Sequence, residues 1–312
     1  MAKRITSADV IAINSSTDMI KIINQISEQI PELGFLVASP VKDISFKTLV
    51  MTALPSAGFR AVNAGLDHTE AVFEAKQVDC QYLDASWTID NAALKGIRNT
   101  AFVPALQRAH LLAAMKKWQR QIYDGVVSDT AGFPGYASLF PYKDSEGVVD
   151  AGGTSAGTGS SIYLVKTGEA DVSVPWGMDG SITQSDVIDC LLYDDAGKSY
   201  HGKAQEVAGY AGLQLTNRTS LLRVANVTED VSHGCTDSLL SKATVLFRKR
   251  YGVMPDGIFM SYRSWQQLHD SRVATSDSGK EADLPEGYQK VEIFPTLGIT
   301  DTETLLGATP QG

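Results

Sequence analysis

The sequence Gly159-Ser-Ser-Ile-Tyr-Leu-Val165 marks the point at which the chain changes from loop to strand. The preceding residues, 125–160, are rich in Gly, Ser, Asp and Thr, and only the segment from Phe133 to Tyr142 offers apolar anchors there. A short run of β-branched and aromatic residues after such a loop is typical of a strand. We therefore predict that a β-sheet takes its first long strand here.

Downstream of this strand, apolar runs alternate with segments of helical spacing. Further strands are predicted at Val172–Val174, Leu191–Tyr193, Leu213–Val227 and Gly257–Ser261, with one or two closing strands between Val291 and Leu306. Helices are predicted at Asp237–Tyr251 and Arg263–His269. This mixture of strands and helices predicts an α+β fold.

Upstream of the loop, a long helical pattern extends from Asn91 to Tyr123. Pro104 lies inside the pattern, and because proline is tolerated in the first turn of a helix, we predict that the continuous helix starts near Pro104. Asp124-Gly125 ends it, with glycine at the favoured C-terminal position. One face of this helix carries apolar residues and another carries basic ones: Leu111, Met115, Trp118 and Ile122 against Lys116, Lys117 and Arg120.

Residues 57–86 are predicted to form a long hairpin that has no core of its own. The segment Gly58–Gly65 reads as a short strand closed by a turn, and the segment Glu70–Leu83 is extended, with alternation clearest at Val78, Cys80 and Tyr82. Both strands are expected to be polar-faced, and they carry few large apolar residues. Such a hairpin is stable only when it packs on something else.

The N-terminal residues 1–16 are polar and aperiodic, which predicts an arm rather than a domain. Ser16-Thr-Asp18 is a plausible helix N-cap, and Pro31 bars the following helix from continuing. The apolar residues between them recur at helical spacing: Met19, Ile22, Ile23, Ile26 and Ile30. This short amphipathic helix must bury its apolar face on its own chain or on a neighbour.

Composition restricts the class of protein. A formal net charge of −9 argues against nucleic-acid binding through overall charge, because that mechanism needs Lys and Arg to displace counterions. We find no long apolar run and no secretory signal behind Met-Ala-Lys-Arg, so we expect no membrane partner. The cysteines Cys80, Cys190 and Cys235 are scattered, which predicts free thiols.

Two motifs resemble parts of enzyme or metal sites. Gly153-Thr-Ser-Ala-Gly157 matches the nucleophile-elbow pattern, but that motif needs a strand that turns sharply into a helix, and strand-like residues follow it here. His233-Gly-Cys235 brings two potential metal ligands together, but no second pair at metal-ligand spacing accompanies it. We therefore predict no catalytic, cofactor-binding or metal-binding residues and no enzyme activity. A serine hydrolase that uses Ser155 is the least favoured alternative.

The order of the segments and several short motifs resemble the tailed-bacteriophage major capsid proteins of the Hong Kong 97 type. The likeness covers about residues 45–305. Its motifs are Leu54–Gly65, Ile122–Gly125, Phe133–Tyr136, Gly159–Val165 with Trp176-Gly177, Leu213–Val227 and Gly257–Leu268.

The resemblance implies a domain organisation. Residues 1–45 would be the N-terminal arm with its short amphipathic helix, and residues 46–88 the extended loop, a long β-hairpin. Residues 89–130 and 286–312 would form the peripheral domain with its spine helix. Residues 131–285 would form the axial α/β domain, whose loops meet at the centre of a ring of subunits.

The function implied is self-assembly into an icosahedral head that encloses double-stranded DNA. The expected partners are further copies in hexamers and pentamers, a portal protein, a scaffold protein, a decoration protein and packaged DNA contacted without sequence specificity. The expected location is the virion capsid, after synthesis in the bacterial host cytoplasm. The alternative within the same fold is a subunit of a cargo-enclosing protein compartment.

The candidate subunit-contact residues lie on the hairpin, the N-terminal helix and the basic face of the long helix. They are Arg60, Asn63, Asp67, Glu74, Lys76, Ile22, Ile26, Lys116 and Arg120. For the basic residues, a solvated helix face is an equally good interpretation.

Overall fold

The computed structural model of the protein describes residue 26 and residues 29–53, 55–67, 69–97, 102–180, 182–274 and 283–310. The predicted arm, residues 1–16, and the candidate contact residue Ile22 lie outside the described residues.

The three longest helices agree with the sequence pattern, whereas the short helix that begins at Pro31 was not predicted, because Pro31 was expected only to end the helix before it. The helices are α1 Pro31–Phe35, α2 Asn91–Gly96, α3 Phe102–Asp124, α4 Asp237–Tyr251 and α5 Tyr262–Ala274. Pro104 lies in the first turn of α3, as predicted, and Gly125 follows the helix with a positive φ of 57°. The predicted bounds of α4 are confirmed, whereas α5 is longer than predicted and includes Arg272, which forms an ion pair with Asp237 of α4 at 2.8 Å. Within the described residues, no helix is both long and apolar enough to cross a membrane.

The strands follow in chain order. They are β1 Val37–Pro40, β2 Ser45–Ala53, β3 Val72–Asp79, β4 Gln81–Asp84, β5 Trp87–Asp90, β6 Val148–Asp150, β7 Ser160–Val165, β8 Val172–Trp176, β9 Ile182–Gln184, β10 Ile188–Tyr193, β11 Ser199–Gln205, β12 Val207–Ala211, β13 Gln214–Leu215, β14 Leu221–Val227, β15 Gly257–Met260, β16 Gly287–Tyr288 and β17 Val291–Pro295.

The central sheet has the strand order β16-β17-β15-β7-β14-β6. The predicted strand at the end of the glycine-rich loop is β7, and every residue of it is buried. Ile162 and Leu164 pack in a core with α4 and α5, whereas Tyr163 and Val165 belong to the core on the opposite side, which contains α3. A strand covered on both faces reads as a continuous apolar run rather than as an alternation, which is why the sequence signal is strong.

A second sheet, of order β1-β8-β12-β4 with β9 and β13 attached to it, lies on the side of α3. The indole rings of Trp118 on α3 and Trp176 on β8 stack with their centroids 5.7 Å apart. β5, β10 and β11 form a further small sheet. The range 131–285, predicted as one axial domain, therefore contributes strands to more than one sheet, because the segment from β8 to β13 pairs with strands of the N-terminal part.

The long hairpin is formed by β2 and β3, which pair antiparallel from Ser45↔Asp79 to Ala53↔Val72. The predicted strand at Gly58–Gly65 is wrong, since residues 55–67 form no strand. That segment lies beyond the last paired residues, where no partner strand is available, and Asn63 adopts a positive φ of 65°. Of the closing strands predicted between Val291 and Leu306, only β17 forms within the described residues.

Glu32 on α1 joins the N-terminal part of the chain to its body. Its carboxylate is fully buried and accepts hydrogen bonds from Tyr123 Oη at 2.7 Å, Gln119 Nε2 at 2.8 Å and Thr296 Oγ1. Burial raises the pKa of this carboxyl, and the hydrogen bonds from its neighbours only partly oppose the shift. One side chain thus connects α1, α3 and the segment that follows β17.

Candidate functional site: surfaces for subunit contact

The long hairpin, residues 45–79, is exposed over most of its length. In β3 only Val78 is buried, at the base of the hairpin. Two strands that are hydrogen-bonded only to each other gain little stability from apolar burial. The exposed surface is therefore available to another molecule.

Each face of the long hairpin carries both polar and apolar side chains. Side chains alternate along a strand, so Glu74 and Lys76 lie on one face and Phe73 lies on the other. Leu49, whose partner in the register is Ala75, shares the face of Phe73, and both Leu49 and Phe73 are more than half exposed. Neither face is purely polar, contrary to the sequence prediction, because Val72 shares the face of Glu74 and Lys76 while Lys47 and Gln77 share the face of Leu49 and Phe73. Leu49 and Phe73 are contact candidates that the sequence analysis missed, although the alternation Phe73-Glu-Ala-Lys76 reveals them once a strand is assigned.

The tip of the long hairpin, residues 56–69, is closed at its neck. Ser56 N donates to Thr69 Oγ1, and Thr69 Oγ1 donates to Ser56 Oγ at 2.9 Å. Beyond the neck, the side chains of Phe59 and Val62 have relative exposures of 109% and 91%. The tip therefore presents apolar side chains entirely to solvent in the single subunit.

The predicted contact residues of the tip surround this apolar pair. Arg60 is exposed and its Nη1 donates to the carbonyl of Ala64 at 3.0 Å. Asn63 and Asp67 are exposed as well. The structure thus brings Arg60, Asn63 and Asp67 together on one loop, whereas Glu74 and Lys76 lie further down on β3.

The other predicted contact residues have varied surroundings. Arg120 Nε donates to Asp124 Oδ2 at 3.0 Å, one turn further along α3. Lys117 pairs with Asp129 at 3.1 Å, and Lys116 is exposed. Ile26 has a relative exposure of only 2% and packs in the core on the α3 side of the central sheet, so its side chain is already used within its own subunit.

A concave surface lies beside the end of α3, and we call it the α3 groove. Its cavity measures about 450 Å³. Its walls come from the end of α3, the 3-10 turn Tyr136–Leu139 and the segment 300–306, and Val126 and Val127 stand exposed at it.

A buried ion pair supports the α3 groove. Arg223 Nη2 on β14 lies 2.9 Å from Glu303 Oε2, and Ser161 Oγ of β7 donates to the same carboxylate oxygen at 2.6 Å. Arg223 Nη1 also donates to the carbonyl of Phe140. These bonds hold the segment 300–306 against the central sheet, so the groove has a fixed shape in the single subunit.

The two motifs that resemble an enzyme site and a metal site lie in surroundings that indicate structural roles. Ser155 Oγ donates to Asp230 Oδ2 at 2.6 Å, and the residues after the motif lead into strand β7, so the strand-to-helix turn of a nucleophile elbow is absent there. Cys235 is buried, and burial raises the pKa of its thiol to about 12. Across the described ranges, no group of three His, Cys, Asp or Glu side chains could hold a metal ion.

All three cysteines are free, as predicted. Cys80 is buried beside Pro175, and desolvation raises the pKa of its thiol to about 11. A thiol that resists ionisation is a poor nucleophile. We therefore interpret Cys80 and Cys235 as packing residues.

Comparison with solved structures shows the fold. The capsid structure of bacteriophage Epsilon15 superposes with a TM-score of 0.64 at 19% sequence identity, covering 88% of this chain and 89% of that chain. The capsid of bacteriophage JBD30 superposes with a TM-score of 0.51 at 9% identity, covering 96% of each chain. This chain therefore has the tailed-phage capsid fold.

Comparison of sequences identifies the family. No curated protein sequence matches the chain significantly. A family model described as major capsid protein GP7 matches residues 4–250 of the 312 residues. The chain belongs to the GP7 family of major capsid proteins and is a shell-forming subunit of a bacteriophage virion.

Proposed function

We propose that this capsid subunit assembles through its long hairpin into pentamers and hexamers, which build an icosahedral head around double-stranded DNA. The single observation that carries the proposal is the full exposure of Phe59 and Val62 at the tip of an arm that has almost no core. Apolar side chains presented in this way are typical of a surface that another protein covers.

Head-to-tail contacts explain why such an arm is needed. A ring of identical subunits requires two different surfaces on each copy, one that reaches out and one that receives. With a rise of about 3.3 Å per residue, strands of this length place the tip roughly 25 Å beyond the base of the hairpin. That reach is sufficient to lie across a neighbouring subunit.

We propose a domain division that follows the sheets. The axial domain contains the central sheet with α4 and α5, and it lies within the predicted range 131–285 apart from β16 and β17. The peripheral domain contains α3, and it takes in β8, β9, β12 and β13 because those strands form one sheet with β1 and β4. The base of the long hairpin lies where β3 is followed by β4.

We further propose that the subunit works with a portal protein, a scaffold protein and a decoration protein, is made in the bacterial host cytoplasm and has no enzymatic activity. These partners follow from the resemblance to tailed-phage capsid proteins. The net charge of −9 supports contact with packaged DNA that is non-specific, because an acidic wall does not bind the phosphate backbone tightly. The family match favours a viral shell over a cargo-enclosing compartment.

Electron microscopy of the purified chain tests the assembly proposal. The wild-type chain, alone or with co-expressed scaffold, is expected to form closed shells or rings of five and six subunits. The variant Phe59→Ser with Val62→Ser should remain an unassembled subunit with native circular dichroism. The matched control, Val231→Ser with Val245→Ser, removes two exposed valines elsewhere and should assemble. A tip variant that assembles as well as the wild type would contradict the proposal.

A further inference from the structure

The outer side of α4 is basic, although the chain as a whole carries a net charge of −9. Lys242, Val245, Arg248 and Lys249 are exposed and recur at helical spacing, and the opposite side of the helix is buried and largely apolar. No acidic residue lies among them. The outer side of α4 is therefore a local exception to the acidic character of the chain.

A fourth cation lies beside the last turn of α4. The 3-10 turn Arg218–Ser220 packs against this helix. Arg250 Nη1 donates to the carbonyl of Leu221 at 3.2 Å, which holds the last turn of α4 next to that segment. The side chain of Arg218 is exposed. We call Arg218, Lys242, Arg248 and Lys249 the α4 basic face.

Acidic groups at both ends of α4 are already paired with other cations. Asp237 at the start of the helix pairs with Arg272 at 2.8 Å, and Glu146 pairs with Arg250 at 3.4 Å. Within the part of the chain that the structure describes, none of the four cations of the α4 basic face forms an ion pair. The face therefore presents uncompensated positive charge to another molecule.

The helix macrodipole explains only part of this charge. Cations in the last turn of a helix interact favourably with the partial negative charge there, and this applies to Arg248 and Lys249. Lys242 lies in the first half of α4, and Arg218 belongs to another segment, so the macrodipole accounts for neither. A partner that carries many negative charges accounts for all four.

The chemistry of the α4 basic face favours a nucleic-acid backbone over an acidic protein. Protein interfaces gain most of their affinity from large side chains buried near the centre, and the outer side of α4 offers Val245 as its one exposed apolar side chain. Lys242 and Lys249 are seven residues apart, which corresponds to about 10.5 Å along the helix. Duplex DNA carries one negative charge about every 1.7 Å along its axis, so both ammonium groups can contact phosphates at once.

We propose that the α4 basic face binds the phosphate backbone of the packaged double-stranded DNA without sequence specificity. This inference rests on the proposed function, because it concerns the DNA that the head encloses, and it names the surface that contacts this DNA. The outer side of α4 then lies on the inner wall of the shell. Phosphate contacts carry no sequence information, which suits a wall that has to accept any part of a genome.

Fluorescence anisotropy with short labelled DNA duplexes tests this surface. Unassembled subunits of the full chain should bind two duplexes of unrelated sequence equally, with a Kd of about 10⁻⁴–10⁻⁶ M near physiological salt. The variant Lys242→Gln with Arg248→Gln and Lys249→Gln should bind at least about tenfold more weakly. Its slope of log K against log salt concentration should become shallower by about 2–3, because each phosphate contact contributes about 0.9.

A matched control removes the same positive charge from exposed lysines elsewhere. The variant Lys42→Gln with Lys95→Gln and Lys198→Gln should keep the wild-type affinity and salt slope. Equal losses in the two triple variants would show that only overall charge matters and would overturn the inference.

An added cation covers the case in which the triple variant does not fold. Val245 is 66% exposed, so Val245→Lys should leave the fold intact and place a further ammonium group within the α4 basic face. DNA should bind more tightly, and the salt slope should steepen by about 0.9. An unchanged affinity and slope would contradict the proposed surface.

The possible outcomes separate this inference from the proposed function, because electron microscopy reads assembly independently of DNA binding. Shells that form from a chain whose subunits bind no duplex at about 50 mM salt would overturn the inference and leave assembly intact. Subunits that bind DNA through α4 but never assemble would overturn the proposed function alone. Subunits that bind polyglutamate but not DNA would show an acidic protein partner. Closed shells that bind added duplex as strongly as subunits do would place α4 on the outside. Either of these last two results would overturn the inference.

Discussion

Strands β7 and β3 have comparable lengths but opposite surroundings. Every residue of β7 is buried within its own subunit, whereas in β3 only Val78 is buried. The chain therefore uses one part of its sequence to make a stable subunit and leaves another part exposed, and we propose that the exposed part makes contacts between subunits. Substitutions near β7 should change folding, and substitutions near β3 should change assembly.

The largest loss of stability is expected where the buried ion pair next to β7 is broken. Arg223→Met leaves Glu303 buried without its cation, and removing one partner of a buried pair costs about 3–5 kcal/mol of the free energy of unfolding. Urea unfolding of unassembled subunits measures this. The matched change Arg60→Met at the exposed tip should cost less than about 0.5 kcal/mol. Equal losses of the free energy of unfolding in the two variants would contradict the distinction between the buried and the exposed region.

The same leucine-to-alanine change in each of the two regions makes the comparison stricter. Leu164→Ala opens a cavity in the core beneath β7 and should destabilise the subunit by about 2–5 kcal/mol. Leu49→Ala on β2 removes the same atoms from an exposed face and should change subunit stability by less than about 0.5 kcal/mol. Thermal unfolding of the two variants side by side checks this. A strongly destabilised Leu49→Ala variant would show that the hairpin is part of the folded core.

A pH dependence is expected from Glu32. Its folded-state pKa is raised above the ordinary value of 4.5, so above pH 4.5 the folded subunit binds the proton more tightly than the unfolded chain does. Stability therefore falls as the pH rises through this range, by at most about 1.4 kcal/mol per pH unit, and levels off above the raised pKa. Glu32→Gln should flatten the slope of the free energy of unfolding between pH 4.5 and 8.

The matched change on the hairpin is Glu74→Gln, which makes the same substitution at an exposed site. It should keep the wild-type slope. Glu303 has a pKa raised by burial as well, so Glu32→Gln is expected to reduce the slope without abolishing it. An unchanged slope in Glu32→Gln would show that the carboxyl does not titrate in this range.

The smallest effect on folding and a large effect on assembly are expected for Phe73→Ser. The side chain is more than half exposed, so its loss should change the free energy of unfolding by less than about 0.5 kcal/mol. Shell yield, measured by sedimentation, should nevertheless fall, because Phe73 would no longer contribute to the exposed apolar surface of the hairpin, to which Leu49 also belongs. Normal yield would limit the contact to the tip of the hairpin.

The sequence predicted an element correctly where the side chains of that element are buried within their own subunit. The bounds of α4 and the position of β7 could be predicted because their own side chains bury against the same subunit, which leaves a periodic or continuous apolar pattern. β2 was missed and Gly58–Gly65 was misread as a strand, because a hairpin that is exposed in its own subunit carries no pattern directed at a core.

The candidate contact surfaces could likewise be predicted from the sequence only in part. The resemblance placed Arg60, Asn63 and Asp67 on the projecting loop, and these residues do lie together at its tip. Leu49 and Phe73 could not be selected before the register of β2 and β3 was known. The α3 groove joins the end of α3 with residues near 140 and 300–306, and no local pattern predicts a surface made from such distant segments.

The sequence by itself determined the α+β class, the long helix, the strand after the glycine-rich loop and the resemblance to capsid proteins, because these depend on local periodicity and on the order of motifs. Only the tertiary structure decided that β8, β9, β12 and β13 join the sheet of β1 and β4, that Ile26 is buried in its own subunit, and that a fixed groove lies beside α3. Strand pairing and concave surfaces arise from contacts between residues far apart in the chain, and such contacts leave no trace in the spacing of neighbouring side chains.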